Sequence, residues 1–420
     1  MRRARVRIAL LVLLALAACG GEEPPLPAIG GPPDRDGLSS LRRFALDRVL
    51  DARVTSGARA GFVALVARRG RVVYARTTGW ADLEARTPMT LDTRFHLASM
   101  SKAITAVAAL VLVDEGRLDL EAPLSDFVPA FEATMVVTGR DDAGDFETDF
   151  LDEPIRIRHL LTFTSGIGGY AETDDPLDRL WRSPDIEDPG LGSLADRIEH
   201  VASRPLYERP GERWRYGWSA DVLARVVEVA AGAPFDVFLR DRIFAPLGMT
   251  RTGFPDDVPA DAPFARMYTH DEAGDLVRET RFDAHYGRGW TPGGGGMVGT
   301  APDYMRFALM LANEGALEGV RILREETVAE MMRLHVPSGV LADMGIEGLG
   351  WGLGVSVVAD DTATPMPSTR GDVWWSGRFG TQFWISPSKE TVVVVLQQTE
   401  TSETSGLPWA PVAVQVLAMP

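Results

Sequence analysis

Between Ser99 and Glu115 the chain carries the pattern of a helix without a polar face. Ala103-Ile104-Thr105-Ala106-Val107-Ala108-Ala109-Leu110 is apolar on every side of the turn apart from Thr105, and Gly116 stops the run. A helix that is apolar all round must be enclosed by other elements, so this one predicts a fold assembled around a buried helix. Ser99 stands at its expected start and Lys102 one turn further on, so their side chains are neighbours at a helix N-terminus.

The segments on either side divide by type. A helical pattern runs from Leu38 to Arg53, followed by β-rich runs at Gly61–Arg68 and Arg71–Thr78 around an Arg69-Gly70 turn. The middle of the chain reads as helical and irregular. Arg140–Glu153 holds seven carboxylates and reads as a solvated loop or hairpin, and Asp221–Ala231 reads as an amphipathic helix. The glycine run Gly293–Gly296 precedes Thr300-Ala301-Pro302-Asp303, a capped helix start. Strand patterns return at Gly352–Val358, Val373–Ile385 and Thr391–Gln397, and a helix is expected over Pro408–Leu417. Strands at both ends with helices between them predict an α/β plus all-α architecture. An antiparallel sheet from both chain ends, flanked by helices, would occupy 38–115 and 297–420, with an inserted helical domain over 116–296.

The N-terminus reads as an export signal. Arg2, Arg3, Arg5 and Arg7 precede an apolar run, Ile8–Ala18, that is too short to span a bilayer. Residues 1–18 are therefore expected to be a signal peptide. Leu16-Ala17-Ala18-Cys19 resembles a bacterial lipobox, which would make Cys19 the lipidation site and mature N-terminus. The plainer alternative is an ordinary cleavage site. Gly/Pro-rich sequence over 19–37 reads as a flexible tether, and the expected address is a bacterial membrane, facing the periplasm or the exterior. A net charge of −16 argues against a nucleic-acid partner. Cys19 is the sole cysteine, so no intrachain disulfide can form, and the six histidines show no HExxH spacing. No metal and no cofactor are expected.

Lysine occurs only at Lys102 and Lys389, against 41 arginines. Arginine stays protonated and cannot serve as a base, whereas a lysine amine can be tuned by its surroundings. Ser386-Pro387-Ser388-Lys389 repeats the Ser-x-x-Lys spacing, but its proline and its place between strand patterns make it a turn. Only Ser99 opens a buried helix.

Phe95-His96-Leu97-Ala98-Ser99-Met100-Ser101-Lys102 resembles the nucleophile segment of the serine β-lactamase and penicillin-binding protein superfamily, in the class C-like branch that includes the family VIII carboxylesterases. His159-Leu160-Leu161-Thr162-Phe163-Thr164-Ser165-Gly166, Pro246-Leu247-Gly248-Met249 and Gly294-Gly295-Gly296-Met297 resemble that branch's landmarks in the same order. The resemblance implies a β-lactamase/transpeptidase-like fold and an acyl-enzyme on Ser99.

The same resemblance implies roles for further residues. Tyr216-Gly217-Trp218 stands where the branch has Tyr-x-Asn, which makes Tyr216 the general base, held by Lys102, and Trp218 a substrate contact. The chain's sole asparagine is Asn313, so the amide-reading asparagine is missing. Trp375-Ser376-Gly377 stands where the branch has Lys-Thr-Gly, which makes all three substrate contacts and replaces the carboxylate-binding lysine by Trp375. The backbone N–H groups of Ser99 and Arg378 would form the oxyanion hole, and the Arg378 side chain could restore carboxylate binding. These departures favour small neutral esters. The alternatives are a D,D-peptidase or β-lactamase, and a non-catalytic lipoprotein that uses the fold as a binding platform.

Overall fold

A computed structural model describes residues 38–169, 175–181, 186, 189–259, 261–281, 288–337, 347–364, 366–400, 414–415 and 418. The expected signal peptide, Cys19 and the tether lie outside the described residues, as does most of the expected helix over 408–417.

Eight strands form one antiparallel sheet. In chain order they are β1 (Gly61–Arg68), β2 (Arg71–Asp82), β3 (Thr87–Pro88), β4 (Leu349–Trp351), β5 (Ser356–Val358), β6 (Val373–Ser376), β7 (Gln382–Ser386) and β8 (Thr391–Leu396). Their order across the sheet is β4-β5-β6-β7-β8-β1-β2-β3. The two chain ends meet where β8 pairs with β1, from Val63↔Leu396 to Arg68↔Thr391. Every residue of β8 is buried, as is all of β1 except Arg68, which suits near-continuous runs such as Thr391-Val392-Val393-Val394-Val395-Leu396.

Helix α1 (Ser40–Thr55) starts at an Ser39 cap and lies along β2. Asp47 accepts from the Tyr74 hydroxyl at 2.8 Å, and Asp51 accepts from Arg76 and from Thr78. The all-apolar segment forms α2 (Ser101–Asp114), buried from Ser101 through Leu112. It packs against α3 (Ser219–Ala231), which ends on a left-handed Gly232. Helix α4 (Ala301–Ala312), capped by Thr300, packs on β1, β7 and β8. Tyr304 of α4 donates its hydroxyl hydrogen to the Met100 carbonyl at 3.0 Å, joining α4 to the base of α2.

Three expectations need correction. Gly352–Val358 and Val373–Ile385 are not single strands: the first holds a turn at 352–355 and one arm, Ser356–Val358, of a hairpin whose other arm is Leu349–Trp351, and the second folds into a hairpin of its own. The second turns at 377–381, where the Gly377 N–H donates to the Thr381 carbonyl and Gly380 adopts φ +78°. Ser99 also does not begin the α-helix directly. It lies in a 3-10 turn, Ala98–Met100, that runs into α2 at Ser101. The acidic segment does form a hairpin, Met135–Arg140 paired with Phe146–Phe150, with Asp141 accepting from the backbone of its own turn.

Candidate active site

Ser99 is presented by a strained turn. Ala98, just before it, adopts φ +47°, a left-handed conformation that a side chain makes costly, of order 1 kcal/mol or more. Ala98 is buried and packed beside Gly377 of the β6–β7 turn. A Cβ built on Gly377 would lie 2.4 Å from the Leu97 carbonyl oxygen and 2.3 Å from Thr381 Oγ1. Glycine is therefore what lets this turn close on the Ser99 segment. The Thr381 hydroxyl donates to the same Leu97 carbonyl at 3.0 Å and locks the approach.

Lys102 is 1% exposed. An ammonium so deeply buried requires polar partners. Its Nζ donates to Ser99 Oγ at 3.1 Å and to the Gly294 carbonyl at 2.5 Å. Gly294 belongs to the glycine run, which passes between α2 and α3. Its N–H donates to Asp221 Oδ1 of α3 at 2.9 Å, and a Cβ there would lie 2.5 Å from Asp221 Oδ2. Asp221 is itself buried. The backbone at Gly294 thus relays contact from Asp221 to Lys102.

The Lys102 ammonium also stands over the Tyr216 ring, 4.5 Å from its centroid. Tyr216 stacks against both Phe163 and Trp214, with ring centroids 5.6 Å and 5.8 Å away, and those two rings also meet at 6.3 Å. Its hydroxyl oxygen accepts from the Trp375 indole N–H at 3.1 Å. Trp351 meets Trp375 edge-on at 4.6 Å. Four aromatic rings, Phe163, Trp214, Trp375 and Trp351, therefore gather about one phenol.

Of the residues singled out in the sequence, Ser99, Lys102, Tyr216 and Trp375 form one connected set, and Gly377 closes against it. Ser376 lies at the end of β6, paired with Gln382. Trp218 is set differently: it is 5% exposed, caps the start of α3, and packs against Gly169 and Trp290. The Arg378 guanidinium is engaged by Glu400, with Nε and Nη2 each 2.7 Å from Oε1.

Sequence reasoning missed Asp221, Phe163, Trp214, Trp351 and Glu400 as parts of this region. Each comes from a different segment, and an aromatic or carboxylate residue in isolation carries no signal of its neighbours. The glycine run was the one available clue to a close approach. His96, three residues before Ser99, is also buried; loss of water pushes its imidazole down to about 3, so it is neutral at ordinary pH. It packs on Phe264 with centroids 4.8 Å apart. Among the described residues no group of three or more His, Cys, Asp or Glu side chains is placed to hold a metal ion.

A family model described as Beta-lactamase matches residues 46–418. Protein Rv1367c of Mycobacterium tuberculosis (strain ATCC 25618 / H37Rv) is 34% identical over 369 residues, covering 84% of this chain and 88% of that protein. Esterase EstB of Burkholderia gladioli is 33% identical over 384 residues, covering 86% of this chain and 91% of its own. Among solved structures, EstCE1, described as a hydrolase with promiscuous acyltransferase activity, has a TM-score of 0.76 at 28% identity, covering 90% of this chain and 98% of its own.

Proposed function

The chain belongs to the beta-lactamase family and is a serine hydrolase, and from that premise we propose that it is a carboxylesterase for small neutral esters, acting through an acyl-enzyme on Ser99. Ser99 Oγ attacks the ester carbonyl carbon. Tyr216, coupled to Lys102, takes the Ser99 proton and returns it to the leaving alcohol. The backbone N–H groups of Ser99 and Arg378 stabilise the tetrahedral oxyanion. Water then attacks the acyl carbon and restores Ser99. Ser376 and Gly377, in and beside the turn that closes on the Ser99 segment, would contact the substrate.

One observation carries the substrate class. Where the family's carboxylate-binding lysine stands, this chain has Trp375, and its indole N–H is directed at Tyr216. A carboxylate-bearing β-lactam or D-Ala peptide would need another cation, and the guanidinium of Arg378 already pairs with Glu400. The contact of Lys102 with Ser99 supports catalysis over a non-catalytic binding platform.

The test is direct. Mass spectrometry after exposure to p-nitrophenyl butyrate should find an acyl adduct on Ser99, and hydrolysis of that ester should far outpace hydrolysis of a chromogenic cephalosporin. The opposite preference would replace this reading with the D,D-peptidase or β-lactamase one. A second reading, transfer of the acyl group to an alcohol, is favoured by the likeness to EstCE1; added alcohol would then yield a new ester.

Lipid anchoring through Cys19, with export to the periplasm or cell exterior, is proposed on the sequence pattern alone. Labelling with radioactive palmitate should require Cys19, and Cys19→Ser should release the protein from the membrane fraction.

A further inference from the structure

Arg378 is the guanidinium nearest in sequence to the β6–β7 turn that closes on Ser99, and it belongs to a chain of four alternating charges. Its Nε and Nη2 converge on Glu400 Oε1, each at 2.7 Å. The other Glu400 oxygen accepts from Arg281 Nη2 at 2.8 Å. Arg281 in turn lies against Glu279, whose Oε2 accepts from its Nε at 2.8 Å and its Nη2 at 2.6 Å. The two carboxylates are shielded, with side-chain exposures of 11% for Glu400 and 6% for Glu279. The two guanidiniums are more open, at 51% for Arg378 and 65% for Arg281. Arg281 holds the Glu279 carboxyl below the usual carboxylate range, so that carboxylate stays charged through ordinary pH.

The backbone fixes this arrangement. Thr399 donates its N–H to the Phe379 carbonyl at 3.1 Å, and Glu400 donates its own to the Tyr268 carbonyl at 2.8 Å. Glu400 is thus held between the β6–β7 turn and the segment that carries Glu279 and Arg281. Two positive and two negative charges cancel. An incoming substrate carboxylate would have to displace Glu400 from Arg378 and approach Glu400 in doing so.

We propose that Glu400 is a specificity determinant of this site: by engaging Arg378 it keeps the flank of the Ser99 pocket electrically neutral and disfavours esters whose acyl group carries a carboxylate. The inference rests on the neutral-ester reading above and gives it a second structural cause besides Trp375. Neutralising Glu400 leaves a net positive charge on the cluster and removes the negative charge that a carboxylate-bearing acyl group would meet beside Arg378.

The experiment compares kcat/KM for mono-p-nitrophenyl succinate, which carries a carboxylate, with that for p-nitrophenyl butyrate. Glu400→Gln should raise the succinate-to-butyrate ratio about fivefold at low salt, the scale of a partly exposed ion pair. That gain should shrink in 0.5 M salt, on the order of what screening does to exposed charges. Arg378→Met, which leaves Glu400 in place, should lower the ratio below that of the unaltered protein. In Glu400→Gln/Arg378→Met the gain should disappear. An unchanged ratio in a folded Glu400→Gln protein, or an equal gain in the double variant, overturns the proposal; should Glu400→Gln not fold, an unchanged ratio in Arg378→Met does so. Failure of the neutral-ester reading appears separately, as absence of butyrate turnover in the unaltered protein. The charge effect is then read from the rates at which a neutral and a carboxylate-tailed fluorophosphonate label Ser99, with the same order among variants expected and its absence overturning the proposal.

Discussion

The indole N–H of Trp375 donates to the hydroxyl oxygen of Tyr216 at 3.1 Å. This bond joins a strand of the sheet to the loop before α3, beside Lys102, whose Nζ lies 4.5 Å from the Tyr216 ring centroid. The donor fixes the direction in which the phenol oxygen points. Trp375→Phe keeps an aromatic ring beside Trp351 and Tyr216 but removes the N–H donor together with part of the buried indole volume. Its kcat/KM for p-nitrophenyl butyrate should fall about fivefold, the scale of one lost hydrogen bond. Steady-state kinetics on a variant of unchanged melting temperature checks this, and unaltered kinetics would confine Trp375 to packing.

Ser99→Ala should lower ester turnover by about a thousandfold or more, because no other oxygen can form the acyl-enzyme. Lys102→Arg should do nearly the same. It preserves the charge, but a guanidinium cannot occupy the compact site between Ser99 Oγ and the Gly294 carbonyl. Single-turnover acylation, followed by the release of p-nitrophenol, measures both.

Gly294→Ala should be destabilising by about 1–3 kcal/mol, since the new methyl group meets the buried Asp221 carboxylate. Activity should fall with it as the Gly294 carbonyl leaves Lys102. Adding Asp221→Ala relieves the clash and should recover part of the stability without recovering the activity. Urea unfolding and ester kinetics on the single and double variants separate the two effects.

His96 makes stability depend on acidity. Its imidazole is driven down to about 3 by burial, while an unfolded chain takes that proton near pH 6.5. Between those values the unfolded state binds more protons, so stability is fully present above about pH 6.5 and is lost as pH falls toward 3. The loss should approach about 1.4 kcal/mol per pH unit. His96→Leu removes this contribution. The difference in urea midpoint between the two proteins should therefore change steadily from pH 7 to pH 5, and a constant difference would count against the buried neutral imidazole.

Much of the fold is legible in local pattern. The enclosed α2 follows from a run without a polar face, and the β1–β2 hairpin follows from an Arg69-Gly70 turn between apolar runs. Where the reading slipped, a single strand was expected and a hairpin formed, at 352–355 and at 377–381. Both turns carry glycines, Gly352 and Gly354 in one and Gly377 and Gly380 in the other, but a glycine inside an apolar run also fits a strand that admits a close backbone approach. Ala98 is similar: nothing in an alanine announces φ +47°, because the strain is imposed by the packing of Gly377 and Leu97 around it.

By itself the sequence determined that one serine and one lysine would be side-chain neighbours at the start of a buried helix. Ser99 and Lys102 are one helical turn apart, and that spacing brings them together wherever the helix lies. Tertiary structure alone decided what surrounds them. The Gly294 carbonyl, the Asp221 carboxylate, the Trp375 indole and the pairing of Arg378 with Glu400 come from segments far apart in the chain. A covalent spacing encodes a neighbour within a turn. A neighbour from a distant segment exists only after β8 has paired with β1 and the glycine run has passed between α2 and α3.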